Sequence, residues 1–346
     1  MSIYLENGYL DIRAIMSYGM PFNMIVHARG TGKTYGTLEM TIEDQIKFIL
    51  MRRTEKTVKT IIKPAFSPFK ELNANHGWNI FAFPEGDGSA IYRHGEYDDK
   101  GKLHASGDVL GMCVALSTIA TMRGVGLSDY DLLFFDEFIK EDHEKPMLNE
   151  GAAFANAYET INRNRELQGR PALRCICAAN ANDLGNPLFV YLGLTEQAIK
   201  LQQSGNDFAI LKDRGVGLFI PHNSPISEKK KDTALYRLTR NTEYGDMALR
   251  NHFMIEGEDT INSVNLREYK PMVTAGVLTV YEHRTEPVYF VSFHKSGSPE
   301  TYKAERIELL RFKNKYIWLW GEHMLRHITF ETYSGMKIFE SYFAVT

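Results

Sequence analysis

HARGTGKT, residues 27–34, is the stretch that decides how this chain folds. It lies between a short apolar run at 22–27 and a segment at 35–48, where Tyr35, Leu38, Ile42, Ile46 and then Ile49 recur at roughly helical spacing. Strand, glycine-rich loop and helix follow in order, and Gly32, Lys33 and Thr34 fall in register with the end of the P-loop pattern. The chemistry needs these residue types. Gly30 and Gly32 let backbone N–H groups turn inward around phosphate oxygens, Lys33 reaches the β- and γ-phosphates, and Thr34 offers a hydroxyl to Mg²⁺. The helix start adds its positive end. With Arg29, Thr31 and Tyr35 these residues form the candidate nucleotide-binding set, and ATP with Mg²⁺ is the implied cofactor pair. One position departs from the pattern, because His27 stands where the motif has its first glycine. A histidine fits there provided its backbone is not left-handed.

Working outward, DYDLLFFDEF at 129–138 is an apolar strand ending in two acids, the form of a Walker B strand. Asp136 would hold the Mg²⁺ shell, and Glu137 would orient and deprotonate the attacking water. A water-activating Glu directly after the Asp points to a hydrolase that does mechanical work rather than to a small-molecule kinase. In RCICAANAND, Asn180 ends the next apolar run, where its side chain could touch the γ-phosphate or the water; capping the strand end is its other reading. Arg163 and Arg165, two apart at an expected helix end, are candidates for an arginine finger on a neighbouring subunit, against a reading as solvated surface.

Strands expected at 109–116, 131–135 and 172–178, with a helix at 150–165, complete a parallel sheet covered by helices, an α/β P-loop NTPase. The segment HNSPISEKKKD reads as an exposed hinge. The expected organisation is an ATPase domain at 1–220, a linker at 221–262 and a small α+β domain at 263–346. In the last, strands are expected at 272–280, 287–293 and 328–332, and helices at 302–311 and 321–327.

Forty Lys+Arg against 43 Asp+Glu give a net charge of -3, which excludes bulk electrostatic coating of nucleic acid. No apolar run approaches the ~18 residues that span a bilayer. MSIYLENGYLDIR lacks a basic segment followed by an apolar one, so the expected compartment is the cytoplasm. The three cysteines are too few for a disulfide framework, and Cys175 and Cys177 read as same-face residues of a buried strand.

Taken together, HARGTGKT, LLFFDEF, INRNRELQGRPALRCICAANAND and RNTEYGDMAL resemble the DNA-packaging ATPases of small protein-primed tailed phages, over roughly residues 20 to 255. The resemblance implies an ASCE-type P-loop ATPase that forms a ring, usually of five, docked on the portal of an empty prohead. Such a ring pumps double-stranded DNA inward, acts in the host cytoplasm and is absent from the mature virion; a structural packaging RNA is a further candidate partner. It implies that Lys33 and Thr34 bind nucleotide and Mg²⁺, that Asp136 and Glu137 are the Walker B acids, that Arg163 is the trans-acting arginine and that Arg123 senses nucleotide across the interface. The second domain resembles the nuclease-like, RNase H-like domain of larger packaging motors. Its first two expected strands offer only Glu282, near an end, and no nuclease activity is expected. Lys56, Lys140 and Lys145 are the candidate DNA contacts, because phosphate contacts carry no sequence information and suit a motor that moves any DNA. A helicase or partition ATPase is the alternative, and a non-catalytic scaffold is disfavoured because ATP binding alone would not need Glu137.

Overall fold

The structure, a computed structural model, describes residues 2–86, 88–119, 126–141, 144, 147, 149–180, 183–239, 242 and 258–345. The chain forms two compact units, one of Met1–Asn182 with Lys200–Phe253, the other of Asp183–Ile199 with Met254–Thr346. The expected division into 1–220, a linker at 221–262 and 263–346 differs from this, because 183–199 join the second unit and the first runs on to Phe253.

The first unit is built on nine strands: β1 (Phe22–Val26), β2 (Phe48–Arg52), β3 (Ile80–Gly86), β4 (Ser89–Tyr97), β5 (Leu103–Ala115), β6 (Leu132–Asp136), β7 (Arg174–Ala179), β8 (Phe208–Leu211) and β9 (Val216–Phe219). Their order across the sheet is β3-β4-β5-β2-β6-β7-β1-β9-β8. The strands from β5 to β9 in that order are parallel, and antiparallel hairpins flank them at both edges. Every residue of β2 and β6 is buried, as expected of strands covered on both faces.

Two expectations about this unit are corrected, and one hairpin is added. The helix after the P-loop spans Lys33–Glu43, not 35–48. Gln45 turns left-handed at φ 52°, the Ile46 N–H closes on the Thr41 carbonyl at 2.8 Å, and the chain enters β2 at Phe48. The β3–β4 hairpin was not expected at all. The supposed exposed linker contains a helix at Pro225–Lys230, capped by Ser224, whose side chain accepts from the Ser227 N–H at 3.0 Å. Ser224 and Ser227 are both buried.

The second unit carries a five-stranded sheet of β10 (Tyr269–Ala275), β11 (Leu278–His283), β12 (Tyr289–Ser292), β13 (Glu300–Tyr302) and β14 (Ile328–Phe330), in the order β13-β10-β11-β12-β14. The strand expected over 272–280 is instead a hairpin, because Gly276 at φ 55° reverses the chain. Trp318 and Trp320 lie on the helix Ile317–Met324. Among the described residues, the convergent group of three His, Cys, Asp or Glu side chains is Glu39, Glu43 and His76, in the first unit; none of the second unit's acids forms one.

Candidate functional site

Four strands of the first unit, β2, β6, β7 and β1, lie side by side and end at the same edge of the sheet. Ligands of open α/β sheets bind outside such carboxyl ends. Register fixes who meets whom. Val26 pairs with Ala179 and Asp136 with Ala178, so the P-loop, Asn180 and the acid pair emerge next to one another. Met51 pairs with Phe135, which places Arg52 beside Asp136.

The P-loop takes the shape its glycines require, with Gly30 at φ 65° and Gly32 at φ 88°. Lys33 folds back over it, its Nζ donating to the carbonyls of His27 at 2.9 Å and Ala28 at 2.7 Å and to Asn180 Oδ1 at 3.3 Å. Burial lowers the Lys33 ammonium to about 7, with Asp136 opposing that shift. Thr34 Oγ1 donates to Asp136 Oδ2 at 3.0 Å. A hydroxyl and a carboxylate at this spacing are the hard oxygen donors that suit Mg²⁺, so the residues present fit that ion. Beside them opens a cavity of about 790 Å³, lined by residues from Arg29 to Gly36, by Asp136, Glu137 and Asn180, and also by Tyr9, Glu71 and Asn75.

Glu137 sits at φ 56°, a conformation that side chains other than glycine adopt at a strain cost, and its exposed carboxylate pairs with Arg52. Although the carboxylate is open to solvent, desolvation by the surrounding protein raises its pKa, the Arg52 charge opposes that, and Asp136 raises it further. The same guanidinium holds Asp136 at 2.9 Å, and both of those side chains are buried. Arg52 thus spans both acids. Next to it Arg53 pairs through Nε with Glu150 at 2.5 Å and through Nη1 with Glu144 at 2.8 Å.

His27 is fully buried and keeps a backbone outside the left-handed region. Its Nδ1 accepts from the Ala28 N–H at 2.8 Å, which leaves the proton of the neutral ring on Nε2, 3.1 Å from the Tyr4 hydroxyl. Tyr4 in turn donates to the Asn223 carbonyl at 2.8 Å. Burial, then the Lys33 and Lys230 charges, hold His27 well below the usual histidine range.

Arg29, Gly30, Thr31, Gly32, Lys33, Thr34, Tyr35, Asp136, Glu137 and Asn180 are therefore brought to one cavity. Tyr35 contributes from the rim, where its hydroxyl accepts from Asn75 Nδ2 at 3.1 Å. Arg163 is not in it. It ends the helix Glu150–Asn162 at φ 47° and donates from Nε to the Thr160 carbonyl at 3.3 Å. Arg165 is buried and holds Asp131 at 2.6 Å ahead of β6, a structural role that removes it as a finger candidate. Lys56 is exposed on the helix Glu55–Ile61 and Lys140 is half-buried after the acid pair; neither lines the cavity. Arg123 and Lys145 lie outside the described residues. The sequence pattern gives Arg52 and Arg53 no role and places Lys230 in an exposed hinge, yet all three meet the site.

A P-loop followed by a helix, an acid pair on a neighbouring strand and a polar residue ending the strand between them define a P-loop nucleotide-hydrolase fold. The sequence profile of the podovirus DNA encapsidation protein (Gp16) family matches residues 86–283, and the chain belongs to that family. The DNA packaging protein of Bacillus phage B103 is 29% identical over 250 residues, covering 70% of this chain and 68% of that protein. That of Bacillus phage phi29 is 29% identical over 251 residues, covering 71% and 66%. Among solved structures, the Phi-28 gp11 DNA packaging motor aligns with a TM-score of 0.65 at 14% identity over 97% of both chains. The bacteriophage Phi-29 viral genome packaging motor assembly aligns at 0.63 and 19% identity over 99% of both. At such identities the likeness is one of fold. Among the described residues no helix is long and apolar enough to cross a membrane.

Proposed function

We propose that the chain is the ATP-hydrolysing subunit of a motor that drives double-stranded DNA through a portal into a phage prohead. The observation that carries this reading is the meeting of Thr34, Asp136, Lys33, Glu137 and Asn180 at one sheet edge, in a chain of the DNA encapsidation family. The P-loop amides and Lys33 bind the phosphates, and the remainder of the cavity takes the nucleoside. Thr34 and Asp136 would hold Mg²⁺, which when bound neutralises charge on the β- and γ-phosphates. Glu137 orients water and takes its proton, a role for which a carboxylate with a raised pKa is suited. For that it must leave Arg52, so the Arg52 pair holds the base away from the water until the site is filled. Asn180, bonded to Lys33, faces the same phosphate end and orients the water or reports its use.

Arg163, outside its own cavity, serves the neighbour's site in a ring, with five subunits the expected number. Arg123 adds a second cation at that interface, and Lys56, Lys140 and Lys145 touch the DNA backbone. The portal, the prohead in the host cell and a packaging RNA are the remaining partners of this reading. The second unit is read as a nuclease-like domain without catalytic acids, which leaves the genome uncut.

Steady-state hydrolysis with proheads and DNA tests the assignment. Glu137→Gln should bind Mg²⁺-ATP as wild type does and lower kcat about 10²- to 10⁴-fold, while Lys33→Ala should lose binding. Full turnover in Glu137→Gln would remove Glu137 from the role of base.

A further inference from the structure

The P-loop is gripped from outside by a residue that no part of the motif supplies. Lys230, the last residue of the helix Pro225–Lys230, donates from Nζ to the carbonyls of Arg29 at 2.8 Å and Gly30 at 2.9 Å. A Cβ on residue 30 would meet this ammonium, which as the tip of a flexible side chain can swing away, so it is the φ of 65° that requires the glycine. The helix that carries Lys230 is itself fixed. Its N-cap is closed by Ser224, the preceding Asn223 accepts from Tyr4, and Lys229 donates to the Asn7 carbonyl at 3.2 Å. Gly8 approaches Pro225 and Ile226 so closely that a Cβ there would lie 3.0 Å from the proline.

Peptide planarity converts this grip into a statement about phosphate binding. In a trans peptide the N–H points opposite to the C=O of the same unit. Pinning the carbonyls of Arg29 and Gly30 toward Lys230 therefore turns the N–H groups of Gly30 and Thr31 to the opposite side, and both residues line the cavity. The ammonium also polarises those two amides and adds positive potential close to Lys33.

We propose that Lys230 is a positioning residue of the nucleotide site, which holds two P-loop peptides in their phosphate-binding orientation and so couples phosphate binding to docking of the helix Pro225–Lys230. Coupling of this kind is reciprocal. Whatever tightens the helix on the loop tightens nucleotide, and nucleotide tightens the helix by the same factor. The inference rests on the cavity being a nucleoside triphosphate site.

The test uses the full chain with Mg²⁺ and a non-hydrolysable ATP analogue. Lys230→Met should weaken binding about tenfold, the change expected for one charge-assisted hydrogen bond. It should raise KM for ATP by a similar factor with kcat changed much less. Lys230→Arg should restore most of the affinity, and Lys231→Met, which removes a neighbouring half-buried charge paired with Glu228 rather than with the P-loop, should match wild type. In wild type, the analogue should slow amide exchange across residues 225–230, a readout that does not depend on how any variant folds. Unchanged exchange there, or wild-type affinity in a folded Lys230→Met that Lys33→Ala does not share, would overturn the proposal. A wild-type chain that fails to bind the analogue would instead overturn the nucleotide-site reading beneath it.

Discussion

His27 shows how one side chain can replace a motif glycine. The glycine of the pattern is dispensable here because the backbone at 27 is not left-handed, and the imidazole is absorbed by a neutral hydrogen-bonded chain through Tyr4 to Asn223. That neutrality has a pH signature. The ring faces two cations, Lys33 and Lys230, and the Tyr4 hydroxyl, with no acid among the groups that shift it, so its folded pKa lies well below the ordinary value. Above about pH 6.5 the ring is neutral in both folded and unfolded chains and contributes no slope. Below that the unfolded chain takes up a proton that the folded one refuses, so stability falls with falling pH by up to about 1.4 kcal/mol per pH unit. Thermal melts between pH 7 and 5 should therefore show a steeper loss for wild type than for His27→Gln. Parallel curves for the two would mean that the buried ring takes up its proton at the same pH as in the unfolded chain.

At the scale of elements, the parts legible in the sequence were those in which local pattern and tertiary role coincide. β1 with its glycine loop, β6 with its acid pair and β7 with Asn180 each combine an apolar run with a polar terminus, and each lies where the pattern places it. β2 was illegible for a physical reason. Ile46 and Ile49 continue the 3.6-residue spacing of the preceding helix, and the break falls on Gln45, a left-handed turn with neither Gly nor Pro to mark it. Losing the strand also lost Arg52 and Arg53, whose burial is invisible until Met51 is paired with Phe135. The β3–β4 hairpin was missed because pairing across a sheet is a non-local fact. Arg53 carries a prediction about an element rather than a reaction. The helix Glu150–Asn162 starts at a left-handed Asn149 with no side-chain cap, and the buried Arg53–Glu150 pair anchors that end. Arg53→Ala strands a buried carboxylate and should destabilise the unit by about 3–5 kcal/mol. Amide exchange should quicken across residues 150–162 before it does in β6 and β7; uniform acceleration through the sheet would show that the pair does not anchor the helix.

At the scale of the whole molecule, the net charge of -3 argues against static coating of DNA, yet a ring repeats each local lysine once per subunit. In the proposed motor, few phosphate contacts per subunit would leave the duplex free to be released between steps, which translocation requires and tight binding would prevent. The same repetition gives the Arg163 assignment a decisive experiment. If Arg163 completes the neighbour's site, an Arg163→Ala subunit retains a sound Glu137 but cannot help its neighbour, whereas a Glu137→Gln subunit cannot hydrolyse but offers a sound arginine. Each variant alone should then be nearly inactive. Mixed in equal amounts, about a quarter of the interfaces in a head-to-tail ring would join a sound Glu137 to a sound Arg163, and turnover should rise toward that fraction of wild type. An arginine acting within its own subunit gives no such rise, because each mixed subunit still lacks one of the two groups. Turnover that stays at the level of the two parents would place Arg163 outside the neighbour's site.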